Sequence, residues 1–260
     1  MAITDKEEGV WGLDEVYNKI NQGGIWDYSQ PMEMWGWGAN PNGSLGLNNV
    51  TEYSSPVQIG SDTTWTSPRG GDMNAGDGQF QAVKTDGTLW RAGWNYLGAL
   101  GQGDSTSHSS PIQIGTDTDW LYCSGRLTAG AVKTDGTLWT WGRNDYGQLG
   151  QNNQTPYYSP KQVGSQSTWK NLCMEGLCNF GTKTDGTLWA WGVGEHGSLG
   201  LNGAGPGHKY SSPKQVGTDT TWRYVHTDES TNSTGIKTDG TLWVWGLNSE
   251  GGLGLNDQTS

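Results

Sequence analysis

The phrase Leu-Trp-x-Trp-Gly, or a close variant, is written five times in this chain. The copies are Met34-Trp35-Gly36-Trp37-Gly38, Leu89-Trp90-Arg91-Ala92-Gly93, Leu138-Trp139-Thr140-Trp141-Gly142, Leu188-Trp189-Ala190-Trp191-Gly192 and Leu242-Trp243-Val244-Trp245-Gly246. Their first tryptophans, at positions 35, 90, 139, 189 and 243, stand 55, 49, 50 and 54 residues apart, and each copy leads into Gly-x-Leu-Gly. Alternate residues of a strand share a face, so the two indoles of a copy point the same way. A recurrence near fifty residues built on such strands marks small antiparallel sheets arrayed around an axis. The expected fold is therefore all-β, a β-propeller of about five four-stranded blades.

Composition tests that expectation. Only 32% of the 260 residues are hydrophobic and mean hydropathy is −0.69, values that taken alone suggest disorder. The sixteen tryptophans argue otherwise. A buried indole removes about 150–250 Å² from water, so a few rings can replace many aliphatic side chains. The recurring rings Trp35, Trp37, Trp90, Trp139, Trp141, Trp189, Trp191, Trp243 and Trp245 are the predicted structural core of the repeat. Net charge is −11, from fifteen basic and twenty-six acidic residues. Four of the lysines, Lys84, Lys133, Lys183 and Lys237, sit in one recurring turn, leaving little for a basic patch. Nucleic acid and anionic membrane are disfavoured as partners, and no stretch reaches membrane-spanning length. The start, Met-Ala-Ile-Thr-Asp-Lys-Glu-Glu, is not that of a signal peptide, which points to a chain made in a cytoplasm.

Residues 120–164 show one unit. Trp120-Leu121-Tyr122 and Gly130-Ala131-Val132-Lys133 suit strands. Thr134-Asp135-Gly136-Thr137 suits a tight hairpin, because Asp-Gly supplies the required positive φ. The Trp-Gly strand follows, then a looped return through Asn144, then Ser159-Pro160-Lys161-Gln162-Val163-Gly164. Asn40, Asn95, Asn248 and, once, Gly194 stand at the Asn144 position, which suggests a demand for left-handed backbone there. The second copy has Ala92 in place of a tryptophan and Trp94 two residues on. The expectation is that Trp94 repacks part of the vacated volume.

Lys-Thr-Asp-Gly-Thr-Leu-Trp-x-Trp-Gly-x-Asn-x-x-Gly-Gln-Leu-Gly, written almost whole at residues 133–150, resembles the repeat of the regulator-of-chromosome-condensation family. The resemblance extends over most of residues 34–260. It implies a propeller, in that family usually of seven blades with four strands each. This chain departs in number. It has five Trp-Gly strands but four Lys-Thr-Asp-Gly-Thr turns and four Ser-Pro-x-Gln segments. Four units are complete, and the fifth is expected to combine segments from both chain ends. The alternative is an open arc completed by a neighbouring subunit. The founding member of the family is a nucleotide-exchange factor for a small GTPase that also binds chromatin. The loops serving that role have no counterpart here, so exchange is the least favoured function.

Residues 1–33 break the repeat and are expected to form an anchoring arm ahead of a propeller domain at 34–260. Leu13, Val16, Tyr17 and Ile20 fall on one helical face, with Gly23-Gly24 ending the run. So short a helix is not stable alone and must dock. Trp11, Leu13, Val16, Tyr17, Ile20 and Trp26 are the predicted anchoring residues. Gly-Val-Trp-x-Leu-x-x-Val-Tyr resembles the opening of tail and virion-surface proteins of marine bacteriophages.

No catalytic constellation is legible. His108, His196, His208 and His226 lack ligand spacing. Cys123, Cys173 and Cys178 form no framework; Cys173 and Cys178 could pair, and buried thiols are the simpler reading. Asp86, Asp135, Asp185 and Asp239 each precede a turn glycine, which explains them without catalysis. No phosphate loop or nucleophile elbow appears. Two insertions, residues 69–78 and 202–210, are candidate contact loops. The expectation is a non-enzymatic protein without cofactor or metal: a structural component of a bacteriophage particle, as a capsid decoration, head fibre or tail part. Its expected partners are other virion proteins, itself as a homo-oligomer, and a host-surface glycan stacked on exposed rings. The alternative is a bacterial intracellular module for protein partners, located in the cytoplasm.

Overall fold

The computed structural model describes residues 32–66, 78–203, 208–228 and 231–257. The predicted arm and its anchoring residues Trp11, Leu13, Val16, Tyr17, Ile20 and Trp26 lie outside them, as do most of the insertion at 69–78 and the middle of that at 202–210.

The described chain forms five antiparallel sheets in sequence order. The first holds β1 (Trp35–Gly38) and β2 (Tyr53–Gln58). The second holds β3 (Gln79–Val83), β4 (Leu89–Gly93) and β5 (His108–Gln113). The third holds β6 (Trp120–Gly125), β7 (Thr128–Lys133), β8 (Leu138–Gly142) and β9 (Tyr157–Gln162). The fourth holds β10 (Trp169–Met174), β11 (Cys178–Lys183), β12 (Leu188–Val193) and β13 (Lys209–Gln215). The fifth holds β14 (Trp222–Thr227), β15 (Asn232–Lys237) and β16 (Leu242–Gly246). Each is a simple meander, as four-stranded propeller blades are. In the second sheet the first strand shrinks to Trp65, bridged to Lys84.

The first sheet holds two described strands and the fifth three, and no described strand from the opposite chain end joins either. β1 and β16 are both Trp-Gly strands, and each sits in its own sheet.

The central hairpins follow the predicted turn chemistry. Asp135 Oδ1 accepts from the backbone N–H of Thr137 at 2.9 Å and from its hydroxyl at 2.7 Å. Asp86, Asp185 and Asp239 do the same for Thr88, Thr187 and Thr241. The threonine hydroxyl then receives the first indole N–H of the Trp-Gly strand, as in Trp139 to Thr137 at 2.9 Å. The turn aspartate thus orients a core ring two steps away.

The asparagines of the looped return work differently from the backbone role expected of them. Asn144 is wholly buried. Its amide donates to the carbonyls of Asn153 and Thr155 at 3.1 and 2.9 Å, and its Oδ1 accepts from Leu149 N–H at 2.9 Å. Asn40 and Asn95 repeat this bracing. The left-handed backbone falls instead on Asn48, Asn152, Asn202 and Asn256, one turn later. The side chain, not the torsion angle, is what the first asparagine supplies, because it satisfies buried backbone groups that no strand reaches.

Candidate interaction surface

In each complete unit the turn lysine is engaged in structure. Lys133 lies 4.8 and 4.9 Å from the ring centroids of Trp120 and Trp139, and its ammonium reaches Asp117 at 2.7 Å and Asp119 at 3.0 Å. Lys84 sits against Trp65 and Trp90 and pairs with Asp62; Lys237 sits against Trp222 and Trp243 and pairs with Asp219. The bonds from Lys84 and Thr64 hold the Asp62 carboxyl down at about 2, and those from Lys237 and Thr221 do the same for Asp219. Lys183 has a neutral partner, Gln166 at 2.6 Å, and burial lowers its pKa. A cation held between two indoles gains attraction to both ring faces, and the carboxylate at the rim completes the unit. All of this chemistry serves packing.

Cys123, Cys173 and Cys178 are buried free thiols. Burial pushes Cys123 and Cys178 up to about 12, which keeps them protonated and unreactive at neutral pH. Arg91 is fully buried, donates to Gln79 Oε1 at 2.6 Å, and stacks over the Trp141 ring at 5.6 Å. Burial lowers it to about 10, so it remains a cation, bracing the second sheet against the third. Among the described residues no group of three or more His, Cys, Asp or Glu could hold a metal ion. Nor is any described helix long and apolar enough to cross a membrane.

The second unit is where the repeat frees side chains for other use. In units three to five the second tryptophan faces a small or polar residue on the neighbouring strand: Trp141 opposite Ala129, Trp191 opposite Asn179, Trp245 opposite Ser233. In unit two Phe80 stands opposite Ala92. The large and small residues have changed strands. Phe80, fully buried, meets Trp65 edge-on at 5.4 Å, as Trp191 meets Trp169 at 5.9 Å. The vacated volume is therefore filled by Phe80 and not by Trp94, as the sequence had suggested. Trp94 is only half-buried and stacks on Tyr96 with centroids 5.1 Å apart and planes 18° apart. Tyr96 is 48% exposed and opens the one-turn 3-10 helix Tyr96–Gly98. A Cβ on Gly98 would lie 2.6 Å from the Tyr158 ring, so the exposed Tyr158 of unit three rests on this same turn. Trp94, Tyr96 and Tyr158 make an aromatic patch across two units.

A concavity of about 550 Å³ lies between the first and second sheets. Leu47, Val57, Ile59 and Pro111 supply its apolar wall, and Trp65, Lys84 and Trp90 its floor.

The predicted core rings separate by position in the array. Trp141 and Trp191 are wholly buried, while Trp90, Trp139, Trp189 and Trp245 are partly buried. Trp35, Trp37 and Trp243 stand exposed, contrary to a uniform core role, because no described sheet covers them on the outer side of the first and last units. The arm residues remain outside the description.

This fold and surface define a repeat protein of the propeller type, with chemistry spent on packing and aromatic rings on display. The repeat itself is the regulator of chromosome condensation (RCC1) repeat, matched at residues 135–170 and 185–227. The ultraviolet-B receptor UVR8 of Arabidopsis thaliana is 34% identical over 82 residues, which are 32% of this chain and 18% of that one. Yeast RCC1 (Prp20), solved bound to Kap60, superposes with a TM-score of 0.71 at 21% identity, over 87% of this chain and 55% of that one. Human WBSCR16 superposes with a TM-score of 0.70 at 20% identity, over 87% of this chain and 60% of that one. The chain thus spans under a fifth of the receptor's length and little more than half of each structure. At these identities the two structures establish the shared fold. The chain thus carries RCC1 repeats over the matched residues and shares the β-propeller fold of these structures.

Proposed function

We propose that the chain is a non-catalytic binding scaffold whose contact surface is the Trp94–Tyr96–Tyr158 patch, and that its ligand is a glycan. The carrying observation is the exchange at Phe80 and Ala92. With Phe80 filling the core opposite Ala92, Trp94 stays half-buried and stacks on Tyr96. Flat rings with polar tips bind sugar faces by stacking, and they lose little conformational entropy in doing so. Several copies on one particle would raise a weak affinity through effective concentration. In the finer form of this proposal the particle is a bacteriophage and residues 1–33 attach the propeller to it. Support for that form rests on the opening phrase of the sequence.

The test is an intrinsic-fluorescence titration against neutral and acidic oligosaccharides. Saturable quenching in the full chain, lost in Trp94→Ala and Tyr96→Ala, is expected. A flat response in the full chain, or quenching untouched by either substitution, refutes the assignment. For the particle form, deletion of residues 1–30 abolishes incorporation into virions and leaves sugar binding intact.

A protein partner is the second reading, favoured by yeast RCC1 having been solved bound to Kap60. It places the chain in the cytoplasm and predicts binding that survives the same deletion.

A further inference from the structure

Neighbouring sheets inside the chain meet in one recurring way. The second tryptophan of a sheet donates its indole N–H to a backbone carbonyl in the Gly-x-Leu-Gly turn of the sheet before it. Trp141 reaches Ala99 at 2.9 Å, Trp191 reaches Gln148 at 2.9 Å, and Trp245 reaches Ser198 at 2.7 Å. Beside this bond, Val132 and Leu138 of the third sheet pack with Trp169, Leu172 and Trp191 of the fourth. The Tyr122 hydroxyl adds a bond to Leu172 O at 2.9 Å.

Each end of the array carries one half of that joint, unmatched. Trp37 occupies the place of Trp141 and Trp191, yet it is 58% exposed and has no hydrogen-bond partner among the described residues. At the other end Leu242 is 66% exposed and Ile236 40%, where Leu138 and Val132 are wholly buried. Gly252, the counterpart of Ala99, Gln148 and Ser198, is exposed, and Tyr224, the counterpart of Tyr122, presents its ring to solvent. One end has the indole donor. The other has the carbonyl and the apolar seat.

We infer that the open face of β14–β16 is the docking surface for the first sheet of a second copy, joined head to tail. Trp37 of the incoming chain sits on Leu242 and Ile236 and donates to the Gly252 carbonyl. The occupant is a second copy because the contact continues an interface that the chain already builds three times, with the same donor and the same class of seat. Such a contact is heterologous, so it grows into open chains unless its rotation closes a ring. The first sheet has two described strands where the third and fourth have four, so the contact is smaller than an internal joint and weak. Added salt strengthens it, since it is apolar and the two chains each carry −11.

Sedimentation velocity of the full chain between about 1 and about 500 µM, the range in which small apolar contacts form, is the first measurement. Concentration-dependent growth beyond the monomer is expected. Trp37→Ala and Leu242→Lys should each remain monomeric. Mixed in equal amounts they should form a two-chain complex and nothing larger, because each supplies the half that the other lacks. Ile236→Lys replaces Leu242→Lys in the mixture if the latter loses its near-ultraviolet circular dichroism. A monomer over the whole range overturns the inference and means that another segment or partner covers this face. Growth that survives both substitutions, or a mixture that stays monomeric while the parent chain grows, overturns it as well.

Discussion

The exchange of Phe80 and Ala92 makes a quantitative prediction. Phe80 is wholly buried between Trp65 and Ala92, in a cluster with Ile59 and Ala82. Phe80→Ala removes the ring without a replacement and should cost about 3–5 kcal/mol, the usual penalty for a buried aromatic cavity. Ala92→Trp in the presence of Phe80 forces two rings into the volume of one and should cost about 1–3 kcal/mol or more. The pair together recreates the arrangement of Trp141 opposite Ala129. It also offers the new indole N–H an acceptor at Ser44, the counterpart of Ala99 in the preceding turn, a bond that contributes about 1 kcal/mol. The double variant should therefore be destabilised by less than about 2 kcal/mol, and the coupling between the sites should be at least about 2 kcal/mol, at or above the upper range for touching residues. Urea unfolding followed by far-ultraviolet circular dichroism measures all four members of the cycle. Repeat arrays can lose cooperativity, so the slope must be shown constant before midpoints are compared. If the double variant is destabilised by the plain sum of the singles, the two positions do not share one volume and the size exchange is refuted.

The rim carboxylates predict a second effect. Asp62 is held at about 2, below the ordinary carboxylate value near 3.9. Its stabilisation is present above about pH 4 and fades as pH falls towards 2. The pair is partly exposed, so the loss should stay below about 1 kcal/mol. Asp62→Asn should flatten that part of the pH–stability curve, and an unchanged acid limb would show that the pair does not contribute. The three thiols predict a third effect. With Cys123 and Cys178 pushed up to about 12 by burial, a thiol reagent at pH 8 should label no cysteine in the native chain and all three in denaturant. Rapid native labelling would show that these sites open.

The sheets were legible because their signals are local. Asp-Gly turns and alternating indoles each depend on residues within a few positions, and the hairpins formed where those phrases stand. The Phe80–Ala92 exchange was not legible, because it requires knowing which residue of one strand lies opposite which residue of the next. Trp94 looked like the nearest replacement in sequence, but the nearest in space came from twelve residues upstream of Ala92. The asparagines misled for another reason. Asn suits both a left-handed turn and a buried bridge, and the same letter does the first at Asn152 and the second at Asn144. The terminal surfaces carry the sharpest lesson. Leu138 and Leu242 open the same phrase, before the same tryptophan, after the same Asp-Gly-Thr turn. One is wholly buried and the other largely exposed. Nothing in either residue distinguishes them, since burial in a stacked array belongs to the neighbour that supplies the next layer. A repeat sequence therefore reports what each unit is built to contact. Only the assembled molecule shows which of those contacts remain unmade, and Trp37 and Leu242 are the two halves of one.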